Sequence, residues 1–163
     1  VNKFIALWWK GWYNNVTIRK TNRWQGGHNM FVAGKTTPKI GEIRLGYVEA
    51  QGNTHKYTGV HPYLVVSNNV YNQKSGQTEV IPFTTKRMYS HNPVHVNFKV
   101  GEVNGLTQDS TLIIEGRDTL LNTQLSDPVG FFTDGNWVKA ANAMVVQCPF
   151  LRLAFPDKMP SIA

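Results

Sequence analysis

From Pro38 onward, short apolar stretches alternate with clusters of turn formers, and most of the stretches have the period of two that a strand requires. In residues 41–49, Ile43, Leu45 and Tyr47 share one face, while Glu42, Arg44 and Glu49 fall elsewhere, which predicts a half-buried strand. Residues 50–60 are polar, contain Gly52, Asn53 and Gly59, and predict a flexible loop. Residues 61–67 (HPYLVVS) are almost continuously apolar and predict a central strand, with Pro62 at its start, where a missing N–H is tolerated. One helical turn ending at Gly76 fits residues 68–76.

Residues 78–85 predict a further strand, in which Pro82 marks an edge or a bulge. Val94, Val96, Phe98 and Val100 alternate with His95, Asn97 and Lys99, which puts His95 on a polar, surface face with His91 also outside. A turn at Asn104-Gly105 leads to the apolar strand 110–115, and residues 129–132 form a last short strand. Trp137, Val138, Ala141, Met144, Val145 and Cys148 recur at helical spacing over 136–148, and Pro149 ends that helix. The fold expected is mainly β: a small, strongly bent SH3-like barrel with a C-terminal helix and short helical turns. Three segments follow: residues 1–29, a domain over 30–148, and a loosely held tail over 149–163 containing Pro156 and Pro160.

Composition narrows this picture in two ways. Of the 163 residues, 41% are hydrophobic and 17% charged, which suits one folded domain with a real core. No apolar run approaches the roughly 18 residues that span a bilayer, so no membrane partner is expected. The single cysteine, Cys148, cannot form an internal disulfide, and no Cys/His cluster has zinc-ligand spacing. A cytoplasmic protein without metal or cofactor is the default.

Net charge changes the picture less than its size suggests. The chain carries +7, but residues 1–29 hold Lys3, Lys10, Arg19, Lys20 and Arg23 with no acid, and four of the five tryptophans. The rest has 12 basic against 10 acidic residues and is almost neutral. Basicity alone therefore does not argue for a nucleic-acid partner. The chain begins with Val, as a literal translation of a GTG codon would, and residues 25–30 (QGGHNM) can be encoded by a string containing AAGGAGGT shortly before ATG. Residues 1–29 are thus expected to be a translated upstream leader, or else a basic arm, with Met30 as the start.

Three polar sets stand beside the strands. His55, Lys56, Tyr57 and His61 flank one loop: either ordinary loop residues, or a general acid with phosphate-binding cations, since histidine changes charge near neutral pH. Thr84, Thr85, Lys86 and Arg87 end a strand and are either a solvated strand end or holders of phosphate oxygens. Glu115, Gly116, Arg117 and Asp118 leave an apolar strand, so Glu115 is either a catalytic base or half of a surface ion pair with Arg117. Trp137 and Cys148 read as packing residues.

In order and spacing, five pieces resemble the MazF/PemK family of toxin endoribonucleases over about residues 41–130. They are Gly41-Glu42-Ile43, the stretch from His61 to Asn69, Val80 to Thr85, Gly105-Leu106 followed by Asp109-Ser110-Thr111, and Glu115. The resemblance implies an SH3-like barrel that dimerises, with single-stranded RNA crossing the joint surface and a cognate antitoxin as partner. It also implies metal-independent cleavage, in which the ribose 2′-OH attacks the adjacent phosphorus and leaves a cyclic phosphate. It matches His55 to a phosphate-stabilising histidine, Glu115 to a base and Thr84 to a threonine near the scissile phosphate. Two positions depart from the pattern. His61 and Ile113 stand where the family has arginines, and Arg117 would return a cation from the other side of Glu115. The resulting scheme makes Glu115 the base and His61 the acid, with His55, Lys56 and Thr84 on phosphate and Thr85, Lys86, Arg87 and Arg117 along the RNA. The departures also admit a non-catalytic SH3-like module that binds RNA or a peptide, or a decayed toxin that keeps only antitoxin binding.

Overall fold

The computed structural model describes residues 31–49, 57–86 and 91–154. Contacts divide the chain after Val32, and the fold below is that of the unit Ala33–Ala163. The expected leader over 1–29 and the candidate site residues His55, Lys56 and Arg87 lie outside the described residues.

Those residues form seven strands: β1 (Glu42–Val48), β2 (Gly59–Val65), β3 (Gln77–Thr84), β4 (His95–Phe98), β5 (Ser110–Ile113), β6 (Asp118–Leu121) and β7 (Leu125–Phe131). Three helices accompany them: α1 (Asn69–Ser75), α2 (Asp134–Gln147) and the short α3 (Leu151–Ala154). The sheet is antiparallel, in the order β4-β5-β3-β2-β1-β7, with β6 also on β3. The expected mainly β architecture with a C-terminal helix is therefore present.

Strand β3 is where the sheet bends. One side pairs with β2; the other pairs first with β6 over Gln77–Val80 and then with β5 over Phe83–Thr84. Pro82 lies at the changeover, where its missing N–H removes no ladder bond. The expected edge or bulge is a change of partner. Pro62 is likewise inside β2, opposite Leu45, because β2 begins earlier than its apolar run. The Val65 carbonyl accepts from Gly41 N on the β1 side. By alternation Pro62 faces β3, whose pairing starts only at Tyr63.

Three other elements depart from the sequence pattern. Strand β5 stops at Ile113, and Ile114–Gly116 is a 3-10 turn, so Glu115 sits on a turn and not at a strand end. Strand β6 was not expected, and β7 starts four residues earlier than its apolar end, through Pro128 and two register shifts against β1. In α2 the buried residues are Asn136, Ala140, Ala143 and Val145, while Val138 faces solvent at 63% exposure. Small alanines let the helix lie close on the sheet, so the contact face is turned from the one that bulky residues marked. The helix starts at Thr133, whose N–H and hydroxyl both reach Asn136 Oδ1 at 2.9 Å. The helical turn expected before Gly76 is α1, capped by the Asn68 carboxamide and closed at Gly76 with φ +70°.

The core occupies both faces of the sheet. Ile43, Leu64, Ile81, Phe83 and Leu112 face α2, and Tyr63, Val65, Val80, Leu120 and Leu125 make a smaller cluster behind. Burial on both sides explains the near-continuous apolar run of β2. Phe98 of β4 and Phe132 after β7 stand 5.5 Å apart, with Phe83 within 6.3 Å of both and Trp137 edge-on to Phe132. Such ring pairs each contribute about 0.5–1.5 kcal/mol beyond area burial. The ends of the sheet thus meet through side chains, and no ladder bonds join β4 to β7 among the described residues.

Glu42 and Arg44, which fall off the Ile43 face of a strand expected to be half-buried, are themselves buried at 7% and 1% exposure. Arg44 Nε donates to Glu42 Oε2 at 2.7 Å, and its Nη1 donates to the Thr36 and Ser126 carbonyls. A fully partnered guanidinium can be buried where a lone one cannot. It ties the segment ahead of β1 to β7. Asp127 secures the same segment, its Oδ1 accepting from Lys35 N, Thr36 N and the Thr36 hydroxyl. Among the described residues, no helix is long and apolar enough to cross a membrane.

Candidate functional site

The apolar strand β5 ends in a tight turn, and that turn builds the site. Ile113 and Ile114 are buried at 1% and 3% exposure, and the 3-10 geometry lifts Glu115 out between them and β6. Gly116 makes the turn possible at this place. A Cβ there would lie 2.9 Å from Pro82 Cγ and 3.1 Å from Tyr57 Cε2.

Glu115 does not pair with Arg117. Its partner is His95 of β4, whose Nε2 donates to Glu115 Oε1 at 2.6 Å. The His95 side chain is only 4% exposed, whereas that of Glu115 is 32% exposed. His95 is therefore no surface residue. The alternation in β4 correctly puts it opposite the main core, but that second face is itself covered. Asn97, Thr111 and Thr84 form a row there across β4, β5 and β3, and Thr111 Oγ1 donates to Asn97 Oδ1 at 2.7 Å.

Thr84 is buried at 8% exposure, and its hydroxyl accepts from Lys86 N at 3.2 Å. It is in register with Thr111, four residues before Glu115, which separates the two on the order of 10 Å. The structure does not bring Thr84 to the carboxylate. Thr85 and Lys86 beyond it are exposed.

His61 lies opposite Gly46 in β2 and is half-buried. Its Nε2 is 2.9 Å from the Thr58 carbonyl, which can only accept, so Nε2 carries hydrogen. Tyr57 meets the His61 ring edge-on at 5.8 Å, and the same tyrosine abuts Gly116. His61 and Gly116, the residue after Glu115, thus meet the same aromatic ring. Beneath them Tyr63 is 2% exposed and donates to the Tyr57 carbonyl at 3.4 Å. Burial pushes the Tyr63 phenol up to about 12, with the charge of Asp118 and then Tyr57 adding to the shift.

Arg117 is exposed and has no ion pair among the described residues. With Glu115 it lines a pocket of about 210 Å³ that the ends of α2 and α3 close. Among the described residues, no group of three His, Cys, Asp or Glu side chains is placed to hold a metal ion. The arrangement offers a carboxylate held by a histidine, a second histidine on β2 and an exposed Arg117 near the carboxylate. Sequence reasoning missed His95. Its signal was the strand alternation, read as a wet face when it marks only a face.

The family model described as PemK-like, MazF-like toxin of type II toxin-antitoxin systems matches residues 39–146. No individually curated protein matches the chain. Among solved structures, the chain is similar to an endoribonuclease from Mycobacterial species at 22% identity and TM-score 0.52, over 68% of this chain and 90% of that one. A Mycobacterial endoribonuclease in complex with its cognate antitoxin is 24% identical at TM-score 0.52, over 67% and 92%. MazF from Deinococcus radiodurans is 14% identical at TM-score 0.58, over 71% and 99%. At these identities the solved structures establish a shared fold.

Proposed function

We propose that this chain, which belongs to the PemK-like, MazF-like family of type II toxins, is a ribonuclease that cuts single-stranded RNA without a metal ion. The observation that carries the reading is the Glu115 carboxylate, a third exposed and held by a buried His95 at 2.6 Å. A carboxylate fixed in one orientation and open to solvent on one side is suited to take a proton from a substrate hydroxyl.

In the proposed reaction Glu115 removes the proton of a ribose 2′-OH, and the 2′-oxygen bonds to the adjacent phosphorus. The bond from phosphorus to the 5′-oxygen breaks, and His61 Nδ1 gives that oxygen a proton. The products are a 2′,3′-cyclic phosphate and a 5′-OH end. Charge gathering on the phosphoryl oxygens is met, in this proposal, by His55, Lys56 and Arg117. Thr84, Thr85, Lys86 and Arg87 serve a neighbouring phosphate. Only RNA reacts, because DNA lacks the attacking hydroxyl.

In the same proposal the protein acts in the cytoplasm as a homodimer and is restrained by a cognate antitoxin; the antitoxin partner is supported by the complexes among its structural relatives. The test incubates purified protein with mixed-sequence RNA in EDTA and identifies the new ends. Cyclic phosphate and 5′-OH ends, lost in Glu115→Gln and His61→Ala, are expected. No cleavage by the unaltered protein, or undiminished cleavage by both variants, overturns the proposal and leaves the non-catalytic module.

A further inference from the structure

The pocket beside Glu115 shares Glu115 and Arg117 with the reaction as written, while the rest of its lining has no part in it. We infer that it seats a purine base, that of the nucleotide on the 5′ side of the cut; this rests on the ribonuclease reading above. The volume, about 210 Å³, falls below the roughly 300–1,000 Å³ of sites for drug-sized ligands and suits a single ring system. Ile81, Met144 and Leu151 supply apolar walls for the faces of a base. Glu115, Arg117 and Gln147 supply polar groups.

The polar groups select among ligands. Gln147 is exposed at the end of α2, and its carboxamide offers donors and an acceptor together. Arg117 offers a fork of donors with no competing ion pair among the described residues. Gln and Arg are the side chains whose forks match the N7 edges of adenine and guanine. In an unpaired strand those edges are open to them. An aliphatic side chain of a protein partner would fill the walls but leave Gln147 and Arg117 unmatched.

Connectivity within a nucleotide settles which base enters. Glu115 lines the pocket and also takes the proton of the attacking 2′-OH. The base is attached at C1′, next to the C2′ that carries that hydroxyl. The base within reach of the pocket is therefore that of the attacking nucleotide, 5′ of the broken bond.

Cys148 also lines the pocket and is the only cysteine of the chain, so thiol labelling reports its occupancy without reference to catalysis. The full chain is labelled with a maleimide in the presence of 2′-O-methyl oligonucleotides, which bind without being cut. Purine-containing oligomers are expected to slow labelling about tenfold more than oligopyrimidines, and Gln147→Leu to remove most of that difference. In parallel, cut sites are mapped on mixed RNA, where a purine is expected 5′ of the cut and Gln147→Leu flattens the preference. Equal slowing by both oligomers, or none, overturns the pocket whatever the cleavage assay gives. Purine-selective slowing without cleavage supports the pocket and removes the ribonuclease reading.

Discussion

His95 Nε2 and Glu115 Oε1 stand 2.6 Å apart, joining a buried strand residue to the exposed tip of a turn. A hydrogen bond to a charged group contributes about 1.5–3 kcal/mol. His95→Ala should therefore lower kcat about 10–100-fold. KM should hardly change, since the imidazole does not reach the RNA. His95→Gln keeps a donor and should recover part of the loss. Equal loss in both variants, with KM raised, would refute an orienting role.

Removing the proposed acid has a different signature. His61→Ala should lower kcat on ordinary RNA about 10²–10⁴-fold. An RNA with sulfur in place of the bridging 5′-oxygen has a leaving group that needs no proton. On that substrate the variant should approach the unaltered protein, whereas Glu115→Gln should stay slow. Equal defects on both substrates would take the acid role from His61.

Arg44 should matter for stability and not for chemistry. Arg44→Met leaves the Glu42 carboxylate buried without its cation, which costs about 3–5 kcal/mol. The loss should appear as a lower urea midpoint. Glu42→Gln in the same chain should restore part of it. Cleavage per folded molecule should be unchanged by either.

Much of the fold was legible because it is written in residues that serve a single face. The run at β2 and the helical turn before Gly76 identified themselves. Strand β6 did not, since only Leu120 of its four residues is buried. The first half of β7 was hidden by Ser126, Asp127 and Pro128, of which Asp127 and the Ser126 carbonyl hold the segment ahead of β1. His95, Glu42 and Arg44 misled for one reason: polar alternation was taken as exposure. Arg44 and Glu42 satisfy each other within β1, and His95 is met by Glu115 from a turn; neither pairing leaves a periodic trace in the sequence.

Tyr63 predicts an alkaline limit to stability. Its phenol is raised in the folded state from 10.0 to about 12. A raised value means the folded protein holds the proton more tightly, so this contribution is complete below pH 10 and is lost as pH rises toward 12. The loss is at most about 2–3 kcal/mol, at 1.36 kcal/mol per unit. Urea midpoints for unaltered protein and Tyr63→Phe should run parallel below pH 10. Above it, the variant should fall less. Parallel curves throughout would show that the phenol is not held this way.

Asp127 sets the acid side. Burial raises its carboxyl, but the Thr36 hydroxyl, the N–H groups of Lys35 and Thr36, and the Arg44 charge together hold it below the usual range. Its contribution is present above the ordinary carboxylate range and fades as pH falls through the lowered value. Asp127→Asn should be less stable at neutral pH and lose less on acidification, as followed by thermal melting.

The pairing of β1 with β7 has a consequence for synthesis on the ribosome. Strand β1 is made first, yet its second neighbour, Leu125–Phe131, emerges some eighty residues later. Until then one edge of β1 is open, and Phe98 has no Phe132 to close against. Contacts this distant in sequence form late. A nascent chain that already displays Glu115 and His95 therefore still lacks the β1–β7 ladder and the Phe98–Phe132 contact. The fold around that pair is complete only once β7 and Phe132 are in place.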